Sequence, residues 1–135
     1  MIHAKEGHLR KAFSTHSLPT EQANESRMLL LFYAVECGLK SAWLRQNRLS
    51  DTSQLGPEFD GKGHDLAFWV KQLRLPASVA NGVRDFRLRG TQQRHRLSQA
   101  HEAWRYGVAI QDDDEKSMNK WLEQVCNWIR KELQV

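Results

Sequence analysis

The sequence predicts an all-α domain: an antiparallel four-helix bundle with a short extra helix at the N-terminus. Three observations predict it. Apolar residues recur at steps of three and four over several long segments. No segment alternates apolar and polar residues as a half-buried strand would. The 135 residues, 40% of them hydrophobic, are enough for one core and one domain, residues 1–135, with no disulfide or structural metal to hold it.

Each element follows from its own residues. Residues 5–13 form a short helix with Leu9 and Phe13 on one side. Pro19 and Thr20 then interrupt the chain; Thr20 suits a helix N-cap and Glu21 the first turn. The long helix that follows, residues 21–47, carries Met28, Leu31, Phe32, Val35, Leu39, Ala42 and Trp43 as its apolar face. Residues 49–63 are a loop, crowded with Ser50, Asp51, Ser53, Gly56, Pro57, Asp60 and Gly61. A second helix, residues 64–73, buries Leu66, Trp69, Val70 and Leu73 and stops short of Pro76. Residues 76–90 read as irregular or as a brief helical turn. A third helix, residues 91–106, puts Leu97, Ala100, Trp104 and Val108 on one side, with Gly107 as its terminator. Asp112, Asp113, Asp114 and Glu115 suit the positive end of the last helix better than a metal ion. That helix runs to Leu133 with Met118, Trp121, Leu122, Val125, Trp128 and Ile129 as its stripe, the clearest periodicity in the chain. The five tryptophans, all at helical spacing, are core residues first.

Composition narrows the function. The apolar run that begins at Met28 falls far short of the ~20 residues that span a bilayer, so no membrane partner is expected. Cys37 and Cys126 sit inside helical apolar patterns and read as free buried thiols. With no apolar signal segment among the first residues, a cytoplasmic location is expected. The net charge is +4, and the whole surplus lies between Arg84 and Arg105. Six arginines there (84, 87, 89, 94, 96, 105) face two acids, Asp85 and Glu102. Arginine in place of lysine throughout suits phosphate, because its planar fork is permanently charged. RNA or another polyanion is therefore the expected partner, with Arg84, Arg87, Arg89, Arg96 and Arg105 as contacts. The alternative is a solvated helix face with charge left over. No phosphate-binding loop, zinc motif or nucleophile elbow is present, and no metal or cofactor is expected.

Three stretches carry a resemblance. They are Leu-Leu-Leu-Phe-Tyr-Ala-Val-Glu-Cys-Gly-Leu-Lys at 29–40, Gly-His-Asp-Leu at 63–66 and Trp-Arg-Tyr at 104–106. In these the chain resembles the HEPN superfamily, the higher eukaryotes and prokaryotes nucleotide-binding domains. The resemblance covers residues 28–106 and implies a small antiparallel bundle that forms a homodimer. Many such domains are metal-independent endoribonucleases with four to six residues between an arginine and a histidine. Arg10…His16, Arg89…His95, Arg94…His101 and Arg96…His101 all fit that spacing. Arg94-His95…His101 fits best, because a polar residue of the family's type follows the arginine. On one helix the i,i+7 spacing also returns Arg94 and His101 to the same face.

The resemblance then implies a catalytic set of Arg94, His95 and His101. His101 would move a proton at a ribose 2′-OH or at the leaving oxygen. Arg94 would hold the phosphate, and two copies of the motif would meet at a twofold axis. The implied role is that of a toxin- or defence-type endoribonuclease, with an antitoxin or another protein as a further partner. The rival reading is a non-catalytic HEPN-like interaction subunit of a nucleic-acid-associated complex. In it His101 is a core histidine beside Leu97 and Trp104, and Asp65 and Arg105 pair to join helices.

Overall fold

The computed structural model describes residues 3–17, 24–82 and 85–134. The chain is mostly helical: α1 (Glu6–His16), α2 (Asn24–Gln46), α3 (Leu66–Gln72), α4 (Ala77–Ala80), α5 (Ala100–Tyr106) and α6 (Asp112–Leu133). One small antiparallel sheet pairs β1 (Phe86–Arg87) with β2 (Arg94–His95). No helix is long and apolar enough to cross a membrane among the described residues. The proposed cap and first turn of α2, Thr20 and Glu21, lie outside the described residues, as does Arg84.

α2 is the centre of the molecule. It packs against α1, α3, α5 and α6. Met28, Leu31, Phe32, Val35, Leu39 and Ala42 are buried as the periodicity requires, but so are Ala34 and Leu44 on other sides. A helix contacted from several sides buries residues beyond one stripe. Gly38 permits the closest approach. A Cβ there would lie 2.8 Å from Ile129 of α6 and 2.9 Å from Phe13 of α1. α6 keeps a one-sided pattern, with Met118, Trp121, Leu122, Val125 and Ile129 inside and the acids 112–115 in its first turn. Both cysteines are free thiols.

Two expectations of local structure need correction. The helix expected at 64–73 begins only at Leu66, because Asp65 caps it, accepting a hydrogen bond from the Phe68 N–H (3.1 Å). The larger correction concerns residues 91–106, which are not one helix. Gly90 turns the chain with φ +79°, β2 follows, and a 3₁₀ turn at Leu97–Gln99 leads into a helix of only seven residues. The physical reason is local. Residues 91–96 contain no apolar side chain to hold a helix against the core, whereas Leu97, Ala100 and Trp104 are buried. Leu88 forms a bridge with Ile110, and the Arg87 N–H donates to Asp114 (2.8 Å), which fixes the other strand. Gly107 ends α5 in the left-handed conformation, φ 70°, as its position in the sequence predicts.

Candidate functional site

The shortened α5 decides where the candidate residues lie. His101 is on α5, buried to 6% exposure, with its ring against Phe32 (5.5 Å between centroids) and His64 (4.3 Å). Arg94 is on β2 and exposed, in a cleft of about 260 Å³ with Arg87, Asp114 and Trp121. No hydrogen bond, ion pair or ring contact joins Arg94 to His101 among the described residues. The shared helix face on which their pairing rested does not exist. His95 stacks on Phe86 (5.6 Å, 27°), and among the described residues its buried Nε2 has no hydrogen-bond partner. It lines an apolar groove with Leu88, Tyr106 and Val108.

The basic segment is partly neutralised. Arg87 Nε lies 3.1 Å from Asp114, and Arg89 Nη2 lies 2.8 Å from Asp112. The Arg87 hydrogen bond holds the Asp114 carboxyl below its usual range. The acidic first turn of α6 therefore serves both the helix dipole and these two arginines. Arg96 is exposed, at the start of the 3₁₀ turn. Arg105 is exposed and donates to Tyr33 Oη; among the described residues it makes no ion pair with Asp65, which caps α3.

Other side chains do converge on His101. Glu36, on α2, is buried to 7% exposure, and its Oε1 lies 2.5 Å from His64 Nδ1. Lys40, one turn on, brings its Nζ to 3.9 Å from the same oxygen. His64 keeps about half its side chain exposed, at 51%. Tyr33, Glu36 and Lys40 share one face of α2 at i, i+3 and i+7. Burial, the neighbouring His64 and the Arg105 guanidinium hold His101 below the ordinary imidazole range, against the opposite pull of Glu102 and the Ser98 backbone. Among the described residues its buried Nδ1 has no hydrogen-bond partner of ordinary geometry. The result is a row: a carboxylate, a half-exposed imidazole, a buried imidazole, and a guanidinium beyond.

A wide cleft of about 780 Å³ opens beside that row and reaches His64 and Lys40. The N-terminal segment forms one wall, tied down where the Ala4 N–H donates to Thr52 Oγ1 (3.0 Å) and the Glu6 N–H donates to the Ser50 carbonyl (3.1 Å). Among the described residues no group of three or more His, Cys, Asp or Glu side chains is placed to hold a metal ion. The sequence alone assigns no role to Glu36, Lys40 or Tyr33. The available signal was a glutamate between apolar neighbours, Val35 and Cys37, in a long apolar helix, since a carboxylate buried there needs a partner. No family model, curated protein or solved structure matches this chain.

Proposed function

We propose that this chain is a HEPN-like helical bundle that cuts RNA without a metal, with Glu36, His64 and Arg105 at the reacting centre in place of the Arg94–His101 pair. The observation that carries the reading is the 2.5 Å contact between the buried Glu36 carboxylate and Nδ1 of the half-exposed His64. A carboxylate that accepts from Nδ1–H fixes the tautomer and leaves the Nε2 lone pair free as a base. Nε2 then takes the proton of a ribose 2′-OH. The 2′ oxygen bonds to phosphorus, the bond from phosphorus to O5′ breaks, and O5′ takes a proton from water. Arg105 meets the charge that builds on the phosphoryl oxygens. His101, uncharged behind His64, keeps that ring in place and acts as a positioning residue. The bundle arrangement, a cytoplasmic location, the homodimer and a toxin- or defence-type role with an antitoxin partner belong to the same proposal.

The test is cleavage of a labelled RNA in EDTA. His64→Ala is expected to lower the rate at least a hundredfold, the usual weight of a general base. Glu36→Gln lowers it less, and Arg105→Ala costs more than Arg94→Ala. Wild-type protein that leaves RNA intact sinks the reading.

A second reading, the interaction subunit, is favoured by one feature. Tyr106 is 70% exposed and Val108 42% exposed, side by side on the apolar groove beneath His95. On that reading Tyr106→Glu abolishes self-association, measured by sedimentation, and no RNA is cut.

A further inference from the structure

We infer that the cleft of about 780 Å³ beside His64 receives one unpaired nucleotide of the RNA, with its phosphate on Lys40. This rests on the nuclease reading above and names the form of substrate that site accepts. The cleft is amphipathic in the way a nucleotide requires. Lys40 and His64 line it together with the apolar Leu9, Leu55 and Phe59. Asp60, the one carboxylate among its lining residues, is exposed. The volume is that of a pocket for a small ligand and not of a groove for a duplex. A base held in a helix stack must leave it to enter such a pocket, so loops and single strands are favoured.

Lys40 is placed for phosphate. Its ammonium lies 3.9 Å from Glu36, which also holds His64, so a phosphate there sits next to the imidazole that takes the 2′ proton. Gly63 keeps the approach open: a Cβ at that position would lie 3.6 Å from Nζ. A side chain longer than alanine at position 63 would compete for that space. Leu55, half-buried on the cleft wall, offers apolar surface against the base.

The experiment is calorimetric titration of the full chain with nucleoside 3′-monophosphates and the matching nucleosides, with RNA cleavage followed in parallel. Monophosphates are expected to bind at least tenfold more tightly than nucleosides, and Lys40→Ala to erase that difference. Ser53→Trp, an exposed change at the cleft wall that leaves the core intact, is expected to block both ligands even if Lys40→Ala disturbs folding. Absent binding, or binding that both variants leave unchanged, overturns the inference. RNA cleavage unaffected by Ser53→Trp also overturns it while leaving the nuclease reading intact. Binding that these variants remove, in a protein that cuts no RNA, keeps the cleft and sinks the nuclease.

Discussion

Burial and charge act on His101 in one direction. The ring is packed against Phe32 and His64 and is almost fully buried. Protonation is therefore harder in the folded chain than in the unfolded one, where the imidazole titrates at about 6.5. The sign follows from proton counts: below that pH the unfolded state binds more protons at this site, so stability rises with pH through the window beneath 6.5. Above it the contribution is complete. A His101→Leu variant is expected to lose this slope. It is expected to gain most on the parent at pH 5.5, where the parent's unfolded state takes up the proton that the buried ring resists. Urea midpoints at pH 5.5 and pH 8 measure both effects, and a variant that keeps the slope contradicts the assignment. The thiols behave differently. Burial pushes Cys126 up to about 12, so it stays protonated at neutral pH. His101 was singled out in the sequence for its distance from an arginine, yet its partners are His64 and Phe32, which no spacing rule connects to it.

The segment from Arg87 to Glu115 holds together by interactions that its own sequence only half announces. Gly107 was legible as a stop because the apolar pattern ends there, and its φ of 70° explains the residue type. Gly107→Ala is expected to cost about 1 kcal/mol, read as a lowered melting temperature, since a side chain opposes the left-handed conformation. The space around it is open, so packing adds nothing to that cost. The hairpin was not legible. Its strands have two residues each, too few to alternate visibly, and their order depends on Asp114 and Ile110 some twenty residues away. Reading 91–106 as a helix extended a true pattern, Leu97 to Trp104, backward across residues with no apolar anchor. That extension alone placed Arg94 and His101 on one face. The acidic turn of α6 was read correctly for the dipole, but its ion pairs with Arg87 and Arg89 reduce the cationic surface that composition suggested.

Assembly around α2 brings the site together. Glu36 comes from α2, His64 from the loop before α3, and His101 and Arg105 from α5. Their positions depend on how closely the outer helices seat on α2, and Gly38 sets that closeness for α1 and α6. Gly38→Ala gains helix propensity but forces Ile129 and Phe13 aside, and a net loss of about 1–2 kcal/mol is expected from overpacking. Denaturant unfolding checks it; a stabilised variant would mean that the two side chains can yield. By itself the sequence determined the helical class, the buried faces of α2, α3 and α6, and the glycine that ends α5. Those features depend on neighbours three or four residues apart, and a local rule reads them. Only the tertiary structure decided that Arg94 and His101 belong to different elements and that Glu36 holds His64. Contacts between residues far apart in the chain depend on which surfaces the whole core brings face to face, and local periodicity carries no record of that choice.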